Sequence, residues 1–331
     1  MTIDIYPRYL TFLLFPVAYN LQALILWTLL YVLPFYLSPT TRPSPNTPAL
    51  STSVIRGRIR SVTLTCIICS IITVRLIQLY TRATVLESFH QLAWYPISVV
   101  DTVKPIFLTI ILFAGPLFER GIVEGGWRDW IVGKGVVEEL SSWMGWRTYI
   151  AGPLSEEILF RSLLVSIALL SPLLPAPILL YTPLYFGIAH IHHFYEFYLT
   201  NPGVPIVPAL LRSLFQFAFT TVFGWYATFV YLRTGNVWSV VITHAFCNWM
   251  GLPRVWGRVE LPGPEEGIMG PDMGMRSKED SANGRMGATA VDRRLSGWWT
   301  ALYYTVLLWG AVGFYKYLWV LTESENALAK F

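Results

Sequence analysis

The chain reads as an all-α, polytopic membrane protein, with about eight transmembrane helices enclosing an intramembrane cavity. Three observations predict this. Of its 331 residues, 54% are hydrophobic and 13% charged, and the mean hydropathy of +0.50 lies outside the range of soluble domains. Apolar runs suited to crossing a bilayer recur along the chain, each bounded by charge or by Pro/Gly clusters. Three of those runs carry ionisable side chains, which hydrocarbon tolerates only where they face protein or water.

The runs fall at about 10–37, 61–80, 103–118, 149–171, 177–200, 209–233, 237–252 and 298–320. Those at 103–118 and 237–252 are short and would need a recessed path. The opening "MTIDIYPRYL" has no basic region leading into a cleavable apolar core, so the first run is expected to stay in the mature chain. The stretch 84–102 is amphipathic and reads as interfacial or re-entrant. Two polar loops are expected: 38–60, with Arg42, Arg56, Arg58 and Arg60, and 253–297, with seven basic and seven acidic residues. Basic residues favour the cytosol, which places 38–60, 119–148, 201–208 and 253–297 on that side and both termini in the lumen. Trp127, Trp130, Trp143, Trp146, Trp298 and Trp299 fall where helices should meet headgroups.

Several function classes drop out. Twenty-four basic against twenty acidic residues leave +4, too small and dispersed an excess for a nucleic-acid partner. Cys66 and Cys69 share the apolar run "VTLTCIICSIITV" without further ligands nearby, and read as packing residues rather than a zinc or redox pair. His90 belongs to the interfacial stretch, and Arg75 and Lys316 read as snorkelling or paired cations.

Three runs remain. "GPLSEEILFRSLL" carries Glu156, Glu157 and Arg161; "YFGIAHIHHFYEFY" carries Phe186, His190, His192, His193 and Glu196; "VVITHAFCNWMG" carries His244 and Asn248. With 1.5 Å of rise per residue, Glu156, His190 and His244 all reach about 10–15 Å below the cytosolic surface. Glu157 and Arg161, four residues apart, can pair on one helix face, while Glu156 points about 100° away. Phe186 shares a face with His190, and His244 with Asn248. A carboxylate beside a neutral imidazole can take a proton from water and make a nucleophile. A second imidazole and a carboxamide can donate hydrogen bonds to the oxygen that becomes anionic when a carbonyl is attacked. Together these predict peptide or ester hydrolysis.

The pattern E-E-x-x-x-R (Glu156, Glu157, Arg161), F-x-x-x-H (Phe186, His190) and H-x-x-x-N (His244, Asn248) resembles the signature of the type II CAAX prenyl endopeptidases, in their eukaryotic branch, over about residues 146–252. That resemblance implies removal of the last three residues of a prenylated Cys-a-a-X C-terminus. It implies substrates such as farnesylated or geranylgeranylated Ras-like GTPases, an endoplasmic reticulum membrane location, contact with membrane lipid, and a site open to the cytosol. It further implies that Glu156 and His190 activate the water, that His244 and Asn248 form the oxyanion site, and that Glu157 and Arg161 brace the helix, with no metal and no cofactor. The division of the chain follows: 1–145 as N-terminal helices, interfacial segment and loop, 146–252 as catalytic core, 253–297 as polar loop, 298–331 as last helix and tail.

Blander readings stand beside these. Glu157 with Arg161 could be only a buried ion pair that sets helix register. His190 could be a satisfied core histidine, and His192, His193 and Glu196 suit the cavity rim. Cys247 lacks an independent orienting base for a nucleophile's role. A metalloprotease would use these histidines and glutamates, yet H-E-x-x-H is absent. A proton-coupled transporter would spread its polar groups over paired repeats, and a silent scaffold of the same architecture is the remaining rival.

Overall fold

In the computed structural model, described over residues 17–45, 51–261 and 295–331, the elements are helical, with no β-strand element among the described residues. The first run forms α1 (Val17–Val32) and, after a break before Pro34, α2 (Pro34–Leu37); its residues 10–16 lie outside the described ones. α3 (Thr52–Thr81) begins nine residues before the expected span, so Arg56, Arg58 and Arg60 stand on a helix and not in the predicted 38–60 loop. α3 stacks Arg56 on Trp143 and Arg58 on Phe35.

The amphipathic stretch divides in two. α4 (Val85–Gln91) is opened by a capping box, in which Thr84 accepts from the Glu87 amide and Glu87 accepts from the Thr84 amide. That backbone bond holds the Glu87 carboxyl below its usual range. Val85 and Leu86 are exposed, as an interfacial helix requires, yet Leu92 and Ala93 are fully buried. Ser162 and Ser166 donate to the Leu92 and Gln91 carbonyls, which staples this end of the segment to the core.

α5 (Val99–Leu112) and α6 (Ala114–Phe118) make up the next run, and the pair, continued to Val123, bends by 74°. A π-helical turn over Glu119–Val123 leads to three short helices, α7 (Trp127–Ile131), α8 (Lys134–Leu140) and α9 (Trp143–Gly145), where a loop was expected. The run predicted at 149–171 is a broken helix. A π turn at Trp146–Ala151, α10 (Gly152–Glu157), a second π turn at Ile158–Leu163 and α11 (Leu164–Leu169) follow one another without a loop.

The run at 177–200 divides too, into α12 (Pro175–Ala189) and α13 (His192–Thr200), parted at His190 and Ile191. α14 (Ile206–Thr234) is long and continuous, ends on the left-handed Gly235, and turns into α15 (Val237–Met250). Most of the 253–297 loop lies outside the described residues. α16 (Gly297–Tyr317) closes the set, and the tail returns to the core, where the Leu328 and Ala329 amides donate to the Leu232 carbonyl.

Among the described residues, two helices, α3 and α14, are long and apolar enough to cross a membrane alone, and the bent pair α5–α6, continued to Val123, makes a third when taken as one span. The runs expected at 149–171 and 177–200 are interrupted by π turns and by the break at His190, while α16 is continuous over 21 residues. α12 and α14 approach closely because Gly224 lies against Pro183, where a Cβ would come within 2.8 Å of the proline ring. Asn236 ties the C-terminal end of α14 to the start of α5, donating to the Ser98 carbonyl at 3.0 Å. Core residues such as Leu159, Leu163 and Ile167 are fully buried, so the broken helix runs through the protein interior.

Candidate active site

Glu156 and Glu157 close α10, and the π turn that follows sets the direction of Arg161. Such turns insert a residue into the helical register and re-aim side chains, and they recur at functional sites. Glu157 and Arg161 are fully buried, with Glu157 Oε2 3.1 Å from Arg161 Nε. The two are close enough to pair as charges, though not aligned as a hydrogen bond. The guanidinium lies over Phe186 at 4.1 Å and near Phe223 at 5.6 Å, cation–π contacts that offset part of its desolvation.

The other oxygen of Glu157 meets α15: its Oε1 lies 2.6 Å from His244 Nδ1. A carboxylate only accepts, so His244 carries a proton on Nδ1 and turns Nε2 toward the cavity. That Nε2 is 3.8 Å from Glu156 Oε2. Glu156 keeps a small exposed fraction where Glu157 has none. Tyr31 of α1 donates to Glu156 Oε1 at 3.4 Å and lies 3.2 Å from Ser155 Oγ.

His190 sits in the break between α12 and α13. Its Nδ1 is 2.8 Å from the Phe186 carbonyl, which can only accept, so Nδ1 is again a protonated nitrogen, and in the neutral ring Nε2 holds the lone pair. The Phe186 ring packs edge-on against His190 at 4.6 Å. Asn248 lies one turn beyond His244 and donates one Nδ2 hydrogen to the Thr148 carbonyl at 2.9 Å, which leaves its second amide hydrogen for another acceptor.

Glu156, His190, His244 and Asn248 all line one cavity of about 640 Å³. The depth argument therefore brought together groups that do share a space. His193 also lines it, whereas Glu196 is held by Arg58 of α3 at 2.6 Å and lies 3.6 Å from His193 Nδ1. His192, His193 and Glu196 are close enough to share a metal ion. The Arg58 guanidinium on the same carboxylate opposes that, because it places a fixed positive charge at the site.

Sequence reading gave no role to Tyr31, Ser155 or Thr148. Tyr31 lies in an apolar run where a lone tyrosine carries little signal, and Thr148 acts through its carbonyl, which no side-chain pattern reveals. The link from Glu157 to His244 spans 87 positions and was also missed. Cys247 lines the cavity, and Cys66 and Cys69 are buried free thiols on α3.

Residues 138–250 match the family described as type II CAAX prenyl endopeptidase Rce1-like. A probable CAAX prenyl protease 2 from Schizosaccharomyces pombe is 33% identical over 300 residues, covering 91% of this chain and 92% of the relative. CAAX prenyl protease 2 from Homo sapiens is 37% identical over 166 residues, 48% of this chain and 49% of that protein, and its Saccharomyces cerevisiae counterpart is 35% identical over 163 residues, 47% and 50%. No solved structure matches the chain. With a relative aligned along nearly its whole length and the motif-bearing helices covered by the family match, the chain is a peptidase and belongs to the Rce1-like type II CAAX prenyl endopeptidases.

Proposed function

We propose that the chain removes the C-terminal tripeptide from prenylated Cys-a-a-X proteins, Ras-like GTPases among them, at the endoplasmic reticulum membrane, through a cavity open to the cytosol. One observation carries this reading: Glu156, His190, His244 and Asn248, drawn from three separate runs, line a single cavity. A prenyl chain partitions into lipid by itself, so a site set within the membrane receives its substrate without extracting it.

In this reading Glu156 takes a proton from a water that His190 Nε2 orients, and the oxygen of that water bonds to the carbonyl carbon of the prenylated cysteine itself. The carbonyl oxygen becomes anionic and accepts from Asn248 Nδ2 and from the Nε2–H of a charged His244. Glu157 balances that charge through Nδ1, and Arg161 offsets Glu157 in turn, so two carboxylates, an imidazolium and a guanidinium sum to zero in a poorly solvated place. The tetrahedral species then collapses, and Glu156 returns its proton to the leaving amine nitrogen of the tripeptide. Residues 146–252 act as the catalytic core, with 1–145 and 298–331 as its helical surround and 253–297 as a polar loop.

The test is a cleavage assay on purified protein with matched Cys-a-a-X peptides, prenylated and not. Release of the tripeptide from the prenylated peptide alone supports the reading, and equal cleavage of both sinks it. A metal-dependent second reading rests on the proximity of His192, His193 and Glu196. Loss of activity under a strong chelator, with recovery on adding zinc, would favour it.

A further inference from the structure

The hydrolytic chemistry leaves the α14 side of the cavity without a role. Phe215, Ala218 and Val222 of α14 line the cavity, and all three are exposed. Phe215 and Val222 are each 58% exposed, close to the 61% and 62% of Leu211 and Leu214, which do not line the cavity and stand on the outer face of the helix. At 100° per residue, these five side chains fall within an arc of about 100°. The lining face and the outer face of α14 therefore run into one another. Because α14 is long and apolar enough to cross a membrane, that outer face meets lipid.

The opposite edge is set by the bend between α5 and α6. α14 and α5 run antiparallel, since Asn236, just past α14, donates to the carbonyl of Ser98, just before α5. They meet where Tyr226 Oη lies 2.8 Å from Thr109 Oγ1. From that contact α14 reaches back to Ile206, whereas α5 ends one turn on, at Leu112, and the chain then turns by 74°. Leu112 and Phe113, at the turn, line the cavity. α16 follows the bent pair and leaves α14: Gly310 packs on the Ile111 carbonyl, Gly115 on Leu307, and Phe118 stacks on Trp299 at 6.1 Å. Among the described residues, no hydrogen bond or aromatic pair joins α14 to α5, α6 or α16 from Tyr226 onward in the direction of Phe215.

The two edges diverge and frame a gap in the side of the cavity. Behind it stands α15, which lines the cavity with His244, Cys247 and Asn248 and holds the bend through Phe246, 5.8 Å from the Phe113 ring. The gap is close to the chemistry, because Phe223, next to Val222, lies 4.6 Å from the His244 ring. Leu112, Phe113, Phe215, Ala218 and Val222 offer no side-chain donor or acceptor at its edges. A peptide passing between such edges would leave its own polar groups unpaired, whereas a hydrocarbon chain has none to satisfy.

We propose that this gap is a lipid-facing side window through which the isoprenoid of the substrate passes, lying between Phe215, Ala218 and Val222 of α14 and Leu112 and Phe113 at the bend. The proposal rests on the prenylated-substrate reading above. Only the cysteine end of the lipid then reaches the imidazoles, and the rest of the chain lies along α14 and among the acyl chains of the bilayer. The five residues bind the lipid and take no part in bond breaking.

The experiment uses the full-length protein in phospholipid vesicles. Ala218→Trp fills the window and should raise KM for a farnesylated Cys-a-a-X peptide by about tenfold, with kcat within about twofold of the parent, the pattern of lost ground-state binding. Leu214→Trp puts the same ring on the outer face away from the cavity and should leave KM unchanged. A second measurement needs no variant. A non-hydrolysable Cys-a-a-X peptide with a diazirine in the middle of its isoprenoid is photo-crosslinked to the unmodified protein, and the adducts should fall on residues 215–222 or on Leu112 and Phe113 and disappear when farnesylated peptide competes. Should Ala218→Trp fail to fold, the adducts decide alone. An unchanged KM in folded Ala218→Trp, an equal rise in Leu214→Trp, or competed adducts confined to other helices overturns the window, as do adducts that farnesylated peptide does not remove. Cleavage by the unmodified protein leaves the proposed function standing in each of those cases. Failure of the unmodified protein to cleave the farnesylated peptide overturns the proposed function itself, and the window with it.

Discussion

α3 and the stretch 146–169 are both long helical runs through the apolar part of this protein, and they are built differently. α3 is one continuous apolar helix of 30 residues, with exposed Leu64, Ile67, Ile68 and Ile71. The stretch 146–169 alternates π, α, π and α geometry, three changes in succession, and keeps Leu159, Leu163, Leu164 and Ile167 fully buried. A helix that only separates lipid from protein can be regular, because its backbone groups satisfy one another and its side chains ask for no particular direction. One that carries two carboxylates and a guanidinium must aim each at its own partner, and a register shift just after Glu157 does that. Local irregularity in this fold is concentrated where the charges are.

If that contrast is right, the largest effect belongs to the buried pair. Arg161→Ala should cost about 3–5 kcal/mol of stability, because it leaves Glu157 buried without its guanidinium. Thermal unfolding in detergent should show this, and cleavage should be lost with it. An Arg161→Ala protein as stable as the parent would break the comparison outright. Glu156→Ala should lower kcat by about a thousandfold with little change in unfolding, since Glu156 faces the cavity and its bond to Tyr31 is long at 3.4 Å; a near-normal rate would remove it from the role of base. Asn248→Ala should lower kcat by about a hundredfold with KM little altered, the signature of a donor that matters most in the transition state. The smallest effect should come from α3. Cys69→Ala removes a buried sulfur that only packs, so about 1 kcal/mol of stability and less than about a twofold change in kcat/KM are expected. A larger loss of activity there would mean that α3 does more than support the site.

Much of the candidate site was legible before any coordinates. Glu156, His190, His244 and Asn248 were singled out because hydrocarbon makes such residues costly, and helical rise put three of them at one depth; all four line one cavity. The Glu157–Arg161 pair followed from four-residue spacing, and it stands at 3.1 Å. Other features were not legible. Glu157 was assigned to Arg161 alone, yet its second oxygen holds His244, because a carboxylate has two acceptors and sequence spacing reveals only the partner on its own helix. The span expected at 177–200 breaks at His190, whose ring is fixed by a carbonyl of the turn before it. The loop expected at 38–60 gives way to helix from Thr52, because its arginines meet Trp143, Phe35 and Glu196 in place of water.

The sequence by itself determined the solvent of this protein, its helical class and the residues that lipid would not accept unpaired, because composition and the helical repeat act within one segment and need no partner. Only the tertiary structure decided which oxygen meets which nitrogen, and that Tyr31 reaches Glu156 from a distant helix. Those outcomes depend on distances between segments far apart in the chain. They are set by how whole helices pack, with Gly224 lying against Pro183 and Asn236 tying two helix ends together, and no local pattern encodes them.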